Sequence, residues 1–146
     1  MLKKINQIEK ENNMATRSII AKLDDKGVQA IYCHNDGYLS NNGKILDQHY
    51  QNEVKVDNLI AQGDASSLRD TIEDTTFYMR DRGEENKEAT NLHNETKLLE
   101  FAFEQCDVEV VYMFAYGSWY VYDNSDKIGD SSYQFIELEE ALYVRI

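Results

Sequence analysis

Two runs of β-branched and aromatic residues, residues 16–23 and 28–34, flank the polar segment Asp24-Asp25-Lys26-Gly27. Residues of these types favour extended backbone, and a glycine in a short polar segment suits the positive φ of a tight turn. The pattern therefore predicts a β-hairpin near the amino terminus.

Helical spacing follows the hairpin. Apolar residues recur at three- and four-residue intervals over residues 45–60, with a break near Gln51-Asn52, which predicts two short helices. Gly63 is a suitable residue to end the second helix. A third helix is predicted over residues 95–105, where Asn94 can cap the amino end.

Extended segments return towards the carboxyl end. Residues 108–116 and 119–122 predict two strands joined by a turn at Gly117-Ser118, and residues 133–138 predict another. Residues 75–79 also have strand character. This order of elements predicts an α+β fold, in which an antiparallel sheet (N-terminal hairpin plus C-terminal meander) packs against two or three helices.

The chain has the length of one domain, with 146 residues of which 42% are apolar. Residues 1–13 form a short amphipathic helix at best, and Met14 begins a different kind of sequence. We therefore expect an N-terminal extension, residues 1–13, and a single α+β domain, residues 14–146. No apolar run reaches the length of about 18 residues that spans a membrane, and no secretion signal is evident, so we expect a cytoplasmic protein.

Charge limits the choice of partner. The net charge is −12, and residues 95–146 contain eleven acidic residues against three basic ones. Such a chain repels a phosphate backbone, so we expect no direct binding of duplex nucleic acid and no membrane partner. The acidic half either serves solubility or imitates a phosphate backbone.

Histidine and cysteine residues give little sign of metal or nucleophile chemistry. Because neighbouring side chains in a strand point to opposite faces, His34 is badly placed to deprotonate Cys33, and we expect a buried, reduced thiol. The spacing of the cysteines and histidines matches no metal site, and no phosphate-loop or dinucleotide motif occurs, so we expect no metal and no cofactor. The residues concerned are Cys33, His34, His49, His93 and Cys106.

Two segments carry candidate ligand-binding residues. At the end of a predicted strand, His34 and Asp36 can act as a base and its orienting group, with Tyr38 beside them; a structural hydrogen bond and an Asx turn are the alternative interpretation. If the strand at residues 75–79 continues, three further side chains share one face and form an anion cradle. These are Tyr78, Arg80 and Arg82. Salt bridges from the arginines to neighbouring carboxylates are the alternative.

An aromatic stripe occupies the predicted meander. Alternation places about half of it in the core, and the exposed half suits either an interface or half-buried tyrosines with wet hydroxyls. Its members are Tyr112, Met113, Phe114, Tyr116, Trp119, Tyr120 and Tyr122. We expect a homo-oligomer formed through this sheet or through edge strands.

Five segments together resemble one family. They are Met14-Ala15-Thr16-Arg17-Ser18-x-Ile20, Ile31-Tyr32-Cys33-His34-x-Asp36-Gly37-Tyr38, Asn42-Gly43-Lys44-x-Leu46, Leu59-Ile60-Ala61-x-Gly63-Asp64 and Arg80-Asp81-Arg82-Gly83-Glu84. From Met14 to nearly the carboxyl end, the chain resembles small proteins that are widespread in phages and prophages. Their position after the histidine is commonly Trp, whereas this chain has Asn35 and so lacks a stacking ring there. The resemblance assigns no catalytic residues.

The resemblance implies inhibition of bacterial antiviral defence by a non-enzymatic protein in the host cell cytoplasm. In one mechanism the protein sequesters a nucleotide-type immune signal, with Arg80 and Arg82 on phosphate and Tyr78 on the base. His34 or Asp36 would then bind ribose hydroxyls. In the alternative mechanism, the partner is a host defence protein, either a CRISPR effector or a nuclease. The acidic carboxyl-terminal half then mimics nucleic acid and occupies the nucleic-acid channel of that protein. A nucleotide-processing enzyme with His34 and Asp36 as its base pair also remains open.

Overall fold

The computed structural model describes residues 16–124 and 135–143, which form one mixed eight-stranded sheet and five short α-helices. This confirms the predicted α+β class. The predicted extension, residues 1–13, lies outside the described residues. Within the described ranges, no helix is long and apolar enough to cross a membrane.

The amino-terminal hairpin is present as predicted. Strand β1 (Ser18–Asp24) pairs antiparallel with strand β2 (Gly27–Asn35), and Asp25 and Lys26 form the turn. Gly27 has a φ of +120°, and a Cβ atom there would lie 2.8 Å from the carbonyl oxygen of Leu92. Glycine is therefore required at this turn by both conformation and space.

The predicted pair of helices is also confirmed. A π-helical turn, Leu39–Gly43, continues into helix α1 (Lys44–His49), and helix α2 (Glu53–Ala61) follows after a break. Asn52 ends that break and caps α2, because its side chain accepts a 2.9 Å hydrogen bond from the N–H of Lys55.

The middle of the chain differs from the prediction. Strand β3 (Ala65–Ser67) and the two-residue strand β4 (Thr76–Phe77) precede helix α3 (Tyr78–Arg82). The strand predicted over residues 75–79 is thus wrong beyond Phe77. The reason is local: the carboxylate of Asp81 accepts the N–H of Phe77 at 2.8 Å, which satisfies a free donor at the start of the helix.

Helix α4 and its extension confirm the helix predicted over residues 95–105. Strand β5 (Thr90–Leu92) leads into α4 (Glu95–Glu100), which continues as a π-helical turn, Phe101–Gln105. The side chain of Asn94 accepts the N–H of Lys97 at 3.0 Å and caps α4 as expected.

The meander consists of strands β6 (Val110–Ala115), β7 (Ser118–Asp123) and β8 (Ile136–Glu137), followed by helix α5 (Leu138–Tyr143). The predicted turn is displaced by one residue, because Ser118 pairs with Ala115 and leaves Tyr116 and Gly117 as the turn. The strand predicted over 133–138 is only β8 within the described residues; residues 133 and 134 lie outside them.

The sheet has the order β4-β3-β2-β1-β6-β7-β8, and β5 also pairs with β2. The hairpin and the meander are antiparallel within themselves, as predicted. The sheet as a whole is mixed because β6 joins β1 in parallel and β3 joins β2 in parallel. The second parallel pair arises because α1 and α2 carry the chain back before β3 begins.

Helices cover both faces of the sheet. Helices α1, α2 and α5 pack over one face, and α4 with its π-helical turn packs over the other. Buried residues of the aromatic stripe consequently occur on both faces. They are Tyr112, Met113, Phe114, Trp119 and Tyr122, whereas Tyr120 is half-buried and Tyr116 is exposed. More of the residues in the aromatic stripe are therefore buried than the half that alternation alone predicts.

Candidate functional site

Cys33 and His34 lie on opposite faces of β2, as the alternation of a strand predicts. Cys33 is buried beneath the helices, where Asn42 Nδ2 lies 3.5 Å from its sulfur. Burial raises the pKa of the Cys33 thiol to about 11, so the thiol is protonated and unreactive at neutral pH. The predicted burial of Cys33 is confirmed.

Asp36 belongs to a turn that is fixed by its backbone. Asp36 has a φ of +57°, and the N–H of the following Gly37 donates to the carbonyl oxygen of Thr16 at 2.8 Å. The carbonyl of Asp36 accepts the side-chain amide of Asn41 at 3.1 Å, and the carbonyl of Tyr38 accepts the Asn41 N–H at 3.0 Å. The backbone carbonyls of the predicted site residues Asp36 and Tyr38 thus both stabilise this turn.

His34 is oriented by Tyr32, which precedes it by two residues on the same face of β2. The Tyr32 hydroxyl lies 2.8 Å from Nδ1 of His34, and the rings are 5.9 Å apart. Burial raises the pKa of Tyr32 to about 12, so the phenol keeps its proton at neutral pH and can donate it to Nδ1 of His34. When Tyr32 donates in this way, the N–H of the His34 ring is on Nε2. The partner of His34 is a phenol and not the carboxylate of Asp36.

Two cations lie close to the ring of Tyr78. Arg82, one helical turn further along α3, places Cζ 5.2 Å from the ring centroid, and Lys87 places Nζ 5.8 Å from it. Both distances are in the range of cation–π contacts. Among the described residues, no carboxylate oxygen lies within 4 Å of either cation.

Hydroxyl groups of β3 border this arrangement. Arg82 Nη2 donates to Oγ of Ser66 at 3.5 Å, and the Ser66 side chain also interacts with the phenol of Tyr78. Asn35 Nδ2 donates to Ser66 at 3.4 Å and to Ser67 at 3.3 Å. The side chain of Asn35 therefore joins β2 to β3.

Asp64 joins the separate parts of the cluster. Its carboxylate accepts the N–H of Tyr32 at 2.9 Å, and its carbonyl accepts the N–H of Tyr78 at 3.1 Å. Its own N–H donates to the carbonyl of Lys87 at 2.7 Å. Burial raises the pKa of Asp64, and the hydrogen bond from the Tyr32 N–H and the nearby charge of Lys87 partly oppose that effect. One residue thus holds β2, α3 and the Lys87 loop together.

Arg80 lies apart from this cluster. Because α3 is a helix, its side chain points away from Tyr78 and Arg82. Its guanidinium forms bonds of 2.9 and 3.0 Å with the Asp81 carboxylate and donates to the carbonyls of Ile72 and Thr75 at 2.9 and 2.6 Å. The shared face predicted for the two arginines is therefore wrong, and the predicted alternative of a salt bridge to Asp81 holds for Arg80.

The basic–aromatic cluster is defined here as Tyr32, His34, Tyr78, Arg82 and Lys87. It unites three of the predicted site residues with two that the sequence analysis missed. Tyr32 was detectable as the residue two before His34 on the same strand face, whereas Lys87 reaches Tyr78 only through the tertiary fold. Arg17 adds a further positive charge near Tyr32, which opposes the rise of the Tyr32 pKa.

No metal site accompanies the cluster: among residues 16–124 and 135–143, no three His, Cys, Asp or Glu side chains are grouped as a metal ion would require. Comparison with family models, curated proteins and solved structures finds no match to this chain.

Proposed function

We propose that the protein binds a small anionic, nucleotide-type ligand at the basic–aromatic cluster. The observation that carries this proposal is the pair of cations beside Tyr78: Arg82 and Lys87 have no carboxylate partner among the described residues, although the chain has a net charge of −12. In so acidic a chain, two neighbouring cations with no carboxylate oxygen within 4 Å form a local site of positive potential that attracts an anion.

The side chains suit the parts of a nucleotide. Arg82 can grip a phosphate with two N–H groups, and Lys87 adds a mobile point charge. Tyr78 and Tyr32 offer aromatic surface to a base, and Nε2–H of His34 is a donor for a ribose or phosphate oxygen. Asp36 and Tyr38 remain predicted contacts, whereas the contacts of Arg80 favour a structural role for that residue.

Binding without turnover fits the geometry better than catalysis does. The phenol of Tyr32 gives His34 a fixed orientation without the charge of a carboxylate, which a general base of the predicted His34–Asp36 type would use. With the resemblance to phage proteins, this favours sequestration of a nucleotide-type immune signal in the host cell cytoplasm. The predicted homo-oligomer would form through edge strands, because the chain's own helices cover both faces of the sheet.

Native mass spectrometry of tagged protein recovered from bacteria with active nucleotide-signalling defences tests the proposal. We expect a retained nucleotide on the wild-type protein and its loss from Arg82→Ala/Lys87→Ala. The matched control is Lys44→Ala/Lys55→Ala, which removes the same charge from two exposed lysines that lie outside the cluster. Retention by the control would show that the loss is local.

Absence of any retained nucleotide from the wild-type protein, together with no calorimetric binding of ATP or of a cyclic dinucleotide, would overturn the proposal. A nucleotide-processing enzyme would give a different result. The wild-type protein would convert the nucleotide to a product, whereas His34→Ala would bind the nucleotide but form no product. Affinity that falls only modestly with added salt would favour a pocket over an extended charged interface.

A further inference from the structure

Tyr116 has the largest exposed fraction, 90%, among the exposed large apolar residues of the described chain. It occupies the turn between β6 and β7, where its φ is +54° and that of Gly117 is +80°. Two successive positive φ values define a hairpin turn that favours Asn, Asp or Gly at its first position. A bulky aromatic residue with this conformation is an uncommon choice.

The rest of the fold does not explain the choice of tyrosine. Within the described part of the chain, no residue forms a hydrogen bond, ion pair or ring contact with the Tyr116 side chain. The residue therefore adds backbone strain and exposed apolar surface, and no such contact among the described residues compensates for them. Such local costs are characteristic of positions that serve binding.

Two grooves flank the Tyr116 turn. The larger, of about 470 Å³, lies between this turn and the turn joining β1 to β2; the smaller, of about 260 Å³, lies on the side of β8 and α5. Phe114 and Gly117 line both grooves, and Trp119 lines the smaller one. The Tyr116-Gly117 turn thus lies between two grooves that each have an aromatic residue in the wall, and Tyr116 itself lines the larger one.

Carboxylates surround these grooves and come from both halves of the chain. Six acidic side chains line them against two lysines, Lys22 and Lys26. The acidic residues are Asp24, Asp25, Asp47, Glu53, Glu137 and Glu139. Lys22 is already bound by Glu53 at 3.0 Å and by Asp57 at 2.5 Å, so its positive charge is engaged within the chain.

We propose that the Tyr116 turn is a docking surface for an arginine- and lysine-rich surface of another protein. A guanidinium stacks on an exposed aromatic ring, and the surrounding carboxylates attract and orient basic side chains. The same carboxylates repel a second copy of this surface and an anionic membrane. The basic surface of a nucleic-acid-binding protein has the required chemistry.

This surface is separate from the nucleotide site. Tyr116 follows the carboxyl end of β6, which runs parallel to β1 and ends beside the β1–β2 turn. The basic–aromatic cluster gathers around the other end of β2, at Tyr32 and His34. The two surfaces therefore lie at opposite ends of the sheet, and either can function without the other.

Fluorescence anisotropy with a labelled peptide of alternating arginine and glycine tests the docking surface. We expect Tyr116→Asn to weaken peptide binding at least about tenfold, as for an interface anchor. The same variant should raise the midpoint of thermal unfolding, because Asn suits this turn better than Tyr. Loss of binding would then occur in a protein that is more stable, which excludes misfolding as its cause.

A charge-matched pair of variants separates the surface from general electrostatic attraction. Glu137→Gln/Glu139→Gln should weaken peptide binding clearly more than Glu95→Gln/Glu104→Gln, which makes the same charge change on α4 and its π-helical turn. Equal weakening by both pairs, or wild-type affinity in Tyr116→Asn, would overturn the proposal. So would a wild-type oligomer that Tyr116→Asn dissociates, since the surface would then bind a second copy.

Discussion

The hydroxyl of Tyr112, in the centre of the sheet, donates a 2.6 Å hydrogen bond to the carbonyl oxygen of Gly37, in the turn that follows β2. Both residues are buried, and the bond joins parts of the chain that are 75 residues apart. A Cβ atom on Gly37 would lie 2.7 Å from the Cβ of Ser18, so the turn is closely packed as well. The Asp36-Gly37-Tyr38 sequence therefore serves the fold, in addition to any role in binding.

Tyr112→Phe should lower the free energy of unfolding by about 1–3 kcal/mol, because the buried carbonyl of Gly37 loses its partner while the ring still fills its space. Urea unfolding followed by the fluorescence of Trp119, the only tryptophan, measures this change. Tyr120→Phe is the control, since Tyr120 is only half-buried. Equal stability of the Tyr112 variant and the wild-type protein would show that the bond contributes nothing.

Substitution of the two arginines of α3 should have different effects, one on stability and the other on nucleotide binding. Arg80→Ala removes hydrogen bonds to the carbonyls of Ile72 and Thr75 and should lower stability with little change in nucleotide affinity. Arg82→Ala removes an exposed side chain and should leave stability unchanged while weakening nucleotide binding by about tenfold, the value of a charge-assisted bond to phosphate. Thermal unfolding measures the stability of each variant, and calorimetry on the same samples measures its nucleotide affinity. Weaker nucleotide binding in Arg80→Ala with unchanged binding in Arg82→Ala would contradict the proposed site.

Local signals predicted the parts of the fold that local interactions determine. The first hairpin has alternating strands around a glycine that has no substitute, and Asn52 and Asn94 cap their helices as expected. Helix α3 escaped prediction because its start depends on one hydrogen bond from Phe77 to Asp81, which propensity does not reveal. Because residues 78–82 are helical and not extended, Arg80 points away from the face that carries Tyr78 and Arg82.

The candidate site was less predictable than the fold. Opposite placement of Cys33 and His34 follows from the two-residue period of a strand. The approach of Lys87 to Tyr78 depends on backbone hydrogen bonds made by Asp64, and no periodicity encodes them. The exposure of Tyr116 was not predicted either, because the sequence placed the turn at Gly117-Ser118 and so left Tyr116 at the end of a strand, whereas the structure places it in the turn.

Two glycines with positive φ should respond differently to alanine. Gly63 has a φ of +83°, and an added Cβ atom would collide with the carbonyl oxygen of Lys87. Gly83 has a φ of +64° and open space around it. Both substitutions cost about 1 kcal/mol in backbone strain, but only Gly63→Ala should also displace Lys87 and weaken nucleotide binding. Similar affinities in the two variants, measured by calorimetry, would contradict a role for Lys87.

Asp64→Asn should test the buried carboxylate that joins the cluster. Because burial raises the pKa of Asp64 in the folded protein, its protonated form is favoured there, and stability is lost as the pH rises through the folded pKa. Asparagine keeps the acceptor for Tyr32 without the charge. We therefore expect the variant to gain stability relative to the wild-type protein as the pH rises above about 4, the ordinary pKa of Asp. A nucleotide should also bind it more tightly.

The decisive observation is how the difference in stability between Asp64→Asn and the wild-type protein changes with pH. Urea unfolding of both proteins between acidic and neutral pH gives it directly. A stability difference that stays constant over this range would show that the carboxylate titrates normally. A variant that loses stability at every pH would show that the carboxylate charge itself holds Tyr32 and Lys87 in place.

The two thiols should differ in reactivity because only one has any exposure. Cys33 is fully buried, and burial raises its pKa to about 11, whereas Cys106 is half-buried with a pKa that is raised as well. In Cys106→Ser, the remaining thiol should react with a disulfide reagent at pH 8 only as fast as the protein unfolds, so urea should accelerate the reaction. In Cys33→Ser, Cys106 should react faster and respond less to low urea. Rapid labelling of Cys33 in the native protein would place its sulfur at the surface, and the packing of β2 against Asn42 would then be wrong.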